Sequence, residues 1–114
     1  MLLKRVATGN GVSVYRSESG ETYLLKPVDR KYEGKAKPPR YYLSLRQPGG
    51  KAKYLSGVFP TRDMQVFSLD MRDGLGVKVP WRMVFLDAGT QVVLEQGKAS
   101  DYLREPELAG VSRA

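Results

Sequence analysis

Short segments in which apolar and polar residues alternate run through most of this chain. Val12 and Val14 alternate with polar neighbours, and Phe67, Leu69 and Met71 do the same further along. Because successive side chains of a strand point to opposite faces, this period of two predicts half-buried β-strands. Seven or eight such segments fit within about 95 residues. They predict an all-β fold, either a small single-domain barrel or a sandwich of short antiparallel strands.

Turn residues mark where these strands would connect. Asn10-Gly11 is typical of a two-residue hairpin loop, and Pro48-Gly49-Gly50 predicts a second hairpin. Residues 61–64 fit either a short helical turn capped by Thr61 or the start of the next strand, and both interpretations stay open.

The same pattern divides the chain into a domain and a tail. We expect a single β domain over residues 1–99, with an exposed basic loop at 29–39 where apolar residues are almost lacking. Residues 100–114 are expected to form a short helix, capped by Ser100 and running over 101–105, or a flexible tail.

The composition excludes several kinds of site. The chain has neither cysteine nor histidine, which removes disulfides, thiolate nucleophiles, zinc–cysteine sites and the commonest general base. Leu2-Leu3 is followed at once by Lys4-Arg5, and the longest apolar run is Met83–Leu86, against the roughly 20 residues of a membrane helix. We therefore expect a cytoplasmic protein with no membrane segment, metal or small-molecule cofactor.

Catalytic motifs are weak in this sequence. The glycine and lysine at Gly97-Lys98 lack the spacing of a phosphate-binding loop. Asp29, Glu33 and Lys35 resemble in miniature the carboxylate–lysine pattern of metal-dependent nucleases. Such a site needs carboxylates held rigidly on adjacent strands, whereas these residues fall in a polar loop. We therefore expect a protein that is not an enzyme.

The positive charge is confined to one stretch of the chain. The whole sequence has 19 basic and 12 acidic residues, a net charge of +7. Lys26 to Tyr54 contains nine basic and two acidic residues, so 9 − 2 = +7, and the remainder sums to zero. Four of the seven tyrosines lie in the same stretch. A local basic face indicates a polyanionic partner, and tyrosine rings among cations are surfaces on which unpaired bases stack.

Strand alternation assigns faces within the basic hairpin. Tyr41 shares a face with the two leucines of its strand, so this face is expected in the core, and Tyr42 and Arg46 share the other. The turn allows a two-residue loop at either Pro48-Gly49 or Gly49-Gly50. Either loop would place the lysines of the return strand on the face of Tyr42 and Arg46. Like charges facing each other there are unfavourable unless a phosphate lies between them.

The remaining aromatic residues are divided between the core and the surface. Tyr41 and Tyr54 are expected in the core or at its rim. Trp81 shares a face with Met83 and Phe85, which is typical of core residues. Tyr42, Tyr32 and Tyr15 are the candidates for base stacking.

These observations favour a non-catalytic binder of single-stranded DNA or RNA with little sequence specificity. A small β protein with a basic, tyrosine-bearing loop and hairpin is similar in style to OB-type and phage single-strand binders, so an OB-like barrel is one form the fold could take. The candidate nucleic-acid-binding residues are Lys31, Lys35, Lys37, Arg40, Tyr42, Arg46, Lys51, Lys53, Tyr32 and Tyr15.

The same residues are also consistent with roles that do not involve nucleic acid. Lysines on an edge strand often serve only to prevent edge-to-edge pairing, and tyrosine is a good strand former without any function. The alternative function is a protein-interaction or assembly module of a phage or mobile element, in which the basic hairpin docks on an acidic protein surface. Exposed edge strands would also allow a homodimer.

Overall fold

Eight antiparallel strands form the protein in the computed structural model, which describes residues 1–28, 40–60 and 64–101. The strands are β1 (Leu2–Gly9), β2 (Val12–Ser17), β3 (Thr22–Pro27), β4 (Tyr41–Arg46), β5 (Ala52–Pro60), β6 (Val66–Arg72), β7 (Lys78–Leu86) and β8 (Gln91–Gln96). A short 3₁₀ helix, Asp87–Gly89, connects β7 to β8. The helices within these described ranges are all too short or too polar to cross a membrane.

The strands close into a barrel in simple chain order. Each strand pairs with the next, and β1 pairs with β8 to complete the ring. The prediction of an all-β barrel or sandwich of about seven or eight short antiparallel strands is therefore confirmed, and the barrel is the form that occurs. The OB-like variant is wrong in its topology, because an OB barrel has five strands in a Greek-key order, whereas this barrel runs up and down.

Alternate side chains of every strand fill the barrel. Leu3, Leu43, Val58, Met83 and Val92 are completely buried. The predicted core face of β7 is confirmed, since its two large rings, those of Trp81 and Phe85, pack against this cluster. Burial of such apolar side chains, at roughly 1.5–3 kcal/mol each, is the main favourable term in folding.

A second, smaller apolar cluster lies outside the barrel wall. Val66, Val84 and Val93 are neighbours in register across β6, β7 and β8, and Ala99 covers them. The chain turns into a helix at Ala99, so Ser100 lies inside the first turn and is not its cap. The rest of the predicted C-terminal helix or tail falls outside the described residues.

The turns show where glycine determines the strand register. Asn10 and Gly11 form the predicted two-residue loop, both with positive φ (52° and 78°). The β4–β5 turn differs, because the amide of Gln47 donates to the carbonyl of Lys51 and three residues lie between them. Gly49 and Gly50 both adopt positive φ there (89° and 84°), a conformation that glycine accepts without a steric penalty. Both two-residue loops predicted for this turn are therefore wrong.

The prediction for residues 61–64 and the strand after them is tested only in part, and the predicted loop at 29–39 is not tested. The strand predicted by the alternation of Phe67, Leu69 and Met71 is confirmed, with Val66–Arg72 as its observed bounds. The proposed helical cap at Thr61 and the basic loop at 29–39 lie outside the described residues.

The buried hydroxyl of Tyr15 provides a test of the packing inside the barrel. Its ring is 1% exposed, and the hydroxyl donates to the carbonyl of Gly89 at 3.0 Å. Replacing Tyr15 with phenylalanine should lower the free energy of unfolding by about 1–2 kcal/mol, because the carbonyl loses a buried donor. Urea unfolding at neutral pH would measure this, with Tyr54→Phe as the control because the Tyr54 ring is mostly exposed.

The same residue makes stability sensitive to alkaline pH. Burial raises the pKa of Tyr15 above its ordinary value, opposed by a hydrogen bond to Ser13 and the charge of Arg5. Since the folded-state pKa exceeds the unfolded one, the stabilisation is present below about pH 10 and is lost as pH rises through the folded pKa. Unfolding curves should show stability falling in that range, and less steeply for Tyr15→Phe. An equal fall in both proteins would contradict this assignment.

Candidate nucleic-acid interface

Three aromatic side chains lie together on the outer face of the β4–β5 hairpin. We call Tyr42, Tyr54 and Phe59 the aromatic cluster. Tyr54 and Phe59 are 64% and 48% exposed, and Tyr42 is half-buried. The rings of Tyr42 and Tyr54 are 6.5 Å apart between centroids and inclined by 38°. Exposed rings of this kind are the surfaces on which nucleic-acid bases stack.

A β-bulge in β5 turns Tyr54 outwards. Leu43 of β4 is opposite Ser56, but the next residue, Ser44, is opposite Tyr54, so Leu55 is an extra residue. One inserted residue exchanges the faces of every side chain beyond it. Tyr54 therefore points away from the core, and its predicted place in the core or at the rim is wrong.

The bulge and the three-residue turn also reposition the hairpin lysines. Lys53 is opposite Leu45, whose side chain packs against the core, so Lys53 follows the inner face at the end of the barrel. Lys51 and Lys53 are both exposed. The prediction that they share the face of Tyr42 and Arg46 is wrong, because Ala52 takes the place opposite Arg46.

Gly57 leaves a depression between the rings of the cluster. It is opposite Tyr42, and a β-carbon built there would lie 3.6 Å from the hydroxyl of Tyr54 and 3.8 Å from the ring of Phe59. The resulting depression has a volume of about 430 Å³, within the usual range of small-molecule sites. Its lining residues are Val28, Arg40, Tyr41, Tyr42, Tyr54, Gly57 and Phe59.

Basic side chains surround the aromatic cluster. The guanidinium of Arg40 lies over the ring of Phe59, 5.7 Å from its centroid. Lys26 is opposite Tyr42 in the neighbouring strand, and Arg46 is exposed at the far end of β4. Cations next to flat rings favour a ligand that combines negative charge with an aromatic face.

The predicted site residues have different outcomes. Tyr15 as a stacking residue is wrong, because its ring is buried in the barrel and its hydroxyl is bonded to Gly89. Arg40, Tyr42 and Arg46 lie on or beside the outer face described above. Four further candidates lie outside the described residues: Lys31, Tyr32, Lys35 and Lys37.

Strand alternation correctly predicts which face of β4 Tyr41 and Ser44 belong to, but Ser44 is buried although it lies on the outer face. Tyr41 stacks on Phe67 at 5.5 Å and packs against the core, as predicted. Ser44 is on the outer face yet only 3% exposed, because Leu24 and Tyr54 flank it in register. Phe59 was not predicted as a site residue. The sequence carries one sign of this site, which is Gly57, two residues before Phe59, because glycines within strands often mark a bulge or a surface that a ligand approaches closely.

Neither family models, curated proteins nor solved structures give a match to this chain. Within residues 1–28, 40–60 and 64–101, there is no group of three or more acidic side chains placed to hold a metal ion. The nuclease-like residues Asp29, Glu33 and Lys35 lie outside these ranges.

Adjacent tyrosines of β4 provide a test of the two faces. Tyr42→Ala should weaken binding of a single-stranded oligonucleotide by about 1–3 kcal/mol, the usual contribution of one base–aromatic stack, with little change in stability. Tyr41→Ala should lower the free energy of unfolding by about 3 kcal/mol, because its ring packs on Phe67. Thermal melts and binding titrations of both variants would measure these effects. Unfolding caused by Tyr42→Ala, with binding lost only in Tyr41→Ala, would mean that the faces are inverted.

Proposed function

We propose that this protein is a non-catalytic binder of single-stranded DNA or RNA with little sequence specificity. The observation that carries the proposal is the aromatic cluster, exposed on a barrel wall beside Arg40 and Lys26. Rings of unpaired bases would stack on Tyr42, Tyr54 and Phe59, and the neighbouring cations would bind phosphates. The proposed setting is the cytoplasm.

The geometry favours a single strand over a duplex. Stacking on a protein ring needs a base whose face is free, whereas the bases of a duplex are stacked on each other. Every base has an aromatic face, so recognition by rings does not depend on sequence.

Phosphate contacts would come from several parts of the basic stretch. Lys26, Arg40 and Arg46 belong to the outer face of the hairpin and β3. Lys51 and Lys53 lie at the exposed end of the hairpin and would meet the strand as it leaves the cluster. The loop residues Lys31, Tyr32, Lys35 and Lys37 remain part of the proposal on sequence grounds alone.

A protein-interaction module is the second candidate. Exposed Tyr, Phe and Arg side chains are also common at the centres of protein interfaces, and homodimers form through such patches. In that case the hairpin would dock on an acidic protein surface. The confined net charge of +7 favours nucleic acid, because phosphate charge is dense and regularly spaced along a strand.

Salt dependence of binding is the direct test. If about five phosphates are neutralised, the logarithm of the binding constant should fall with the logarithm of salt concentration with a slope near −3.5. Lys26→Gln should lower this slope by about 0.7, whereas the control Lys4→Gln, which removes the same charge from exposed β1, should leave it unchanged. Fluorescence titrations with a labelled single strand and a duplex of equal length would measure this. Absence of binding at low salt would end the hypothesis, and tighter binding of the duplex would exclude the stacking mode.

A further inference from the structure

β5 and β6 separate in the barrel wall and leave a cleft, which is lined by core-facing residues such as Leu69 as well as by residues of the outer face. β5 is nine residues long, but among the described residues it is in register with β6 at three positions, from Val58 opposite Leu69 to Pro60 opposite Phe67. Beyond these pairs, the first part of β5 and the last part of β6 diverge. The cleft between them has a volume of about 810 Å³.

A side chain holds the two strands where the backbone ladder stops. The hydroxyl of Ser56 donates to the carbonyl of Asp70 at 2.6 Å. Ser56 is 4% exposed, so this contact lies in the interior of the wall. This bond therefore links the two strands at the point where their backbone pairing ends.

The cleft adjoins the depression in the aromatic cluster. Tyr54, Gly57 and Phe59 line both, and Gly57 lies where they meet, beneath the hydroxyl of Tyr54 and the ring of Phe59. From Gly57 the cleft continues past Ser68 towards the end of β6 and the turn into β7.

Cationic side chains line the far end of the cleft. These are Lys53, Arg72 and Lys78, of which Arg72 and Lys78 are opposite each other across β6 and β7. The guanidinium of Arg72 donates to the carbonyl of Gly76 at 2.6 Å, which holds this group at the rim. An arginine has five N–H donors, so the same group has further donors for a phosphate.

Two carboxylates, those of Asp73 and Asp70, also line the cleft. Asp73 accepts hydrogen bonds from the amides of Leu75 (2.8 Å) and Val77 (3.0 Å) and so organises the turn. Asp70 lies nearer the middle of the cleft and would repel a phosphate. A strand in the cleft would therefore place its phosphates towards the three cations at the far end.

We propose that the bound single strand continues from the aromatic cluster across Gly57 into the β5–β6 cleft, where Arg72, Lys78 and Lys53 bind its phosphates. This inference rests on the proposed function and extends it, because it assigns a direction along the barrel wall and a second set of contacts. A strand too short to reach the cleft would occupy the aromatic cluster alone.

This path can be tested by measuring how loss of the cleft cations affects the binding of a short and of a long oligonucleotide. Labelled thymidine oligonucleotides of about 4 and about 12 nucleotides cover the range of site sizes found for small β-barrel binders. The double variant Arg72→Gln/Lys78→Gln should bind the longer strand about tenfold more weakly and lower its salt slope by about 1.4, since two phosphate contacts are lost. Its affinity for the shorter strand should change less than about twofold. The control Lys4→Gln/Lys98→Gln removes the same charge from exposed positions outside the cleft.

Gly57→Val tests the crossing between the two parts. The φ angle of Gly57 is one that other residues adopt, and an added β-carbon would make ordinary contacts. The γ-carbons of valine would extend beyond that β-carbon into the space beneath Tyr54 and Phe59, where the cleft and the depression meet. The valine should remove most of the affinity that the longer strand gains over the shorter one. Gly9→Val is the matched control, because Gly9 is also a strand residue and has no atom within 4 Å of an added β-carbon.

The outcomes separate this inference from the function on which it rests. If neither oligonucleotide binds the wild-type protein, the proposed function itself is overturned. If both bind but the double variant and Gly57→Val retain the full length dependence, the path through the cleft is overturned and the binding function stands. A loss confined to the longer strand, with melting temperatures unchanged, supports the path.

Discussion

Because successive side chains of a strand point to opposite faces, one extra residue in β5 determines what the outer wall of the barrel presents. Leu55 is that residue, and beyond it Tyr54 faces outwards while Lys53 follows the inner face. Without it, Tyr54 would continue the inward row of Val58 and Ser56. Bulges also bend a strand and increase its twist, which agrees with the divergence of β5 from β6 in the same region.

Closure of the barrel makes such an irregularity tolerable in energetic terms. The core is formed by residues from all eight strands, with Leu3 and Val92 at the closing seam as fully buried as Leu43 on the opposite wall. The bond from Ser56 to Asp70 links β5 to β6 where their backbone pairing ends. The core residues and the three rings of the aromatic cluster use opposite faces of the same strands, so substitutions of those rings should have little effect on the packing of the inner face.

Sequence patterns predicted the parts of the fold that depend on period and on turn chemistry. The strands, the hairpin at Asn10-Gly11 and the inward face of β7 follow from alternation and from glycine conformations. Tyr15 and Tyr54 were assigned to the wrong environments for physical reasons. Tyr15 is amphipathic, and only the closed barrel brings the carbonyl of Gly89, 74 residues away, to its hydroxyl. The face of Tyr54 depends on a bulge, and the choice between a two-residue and a three-residue turn at Pro48 cannot be made from composition.

The arrangement of charge on the wall agrees with the position of the rings. Arg40 lies against Phe59 and Lys26 lies beside Tyr42, so each cation is held next to an aromatic surface. Aromatic rings alone would bind many apolar partners, and lysines alone would bind any anion. Under the proposed function, their combination around Gly57 would favour a ligand that alternates flat rings with negative charges, as a nucleic-acid strand does.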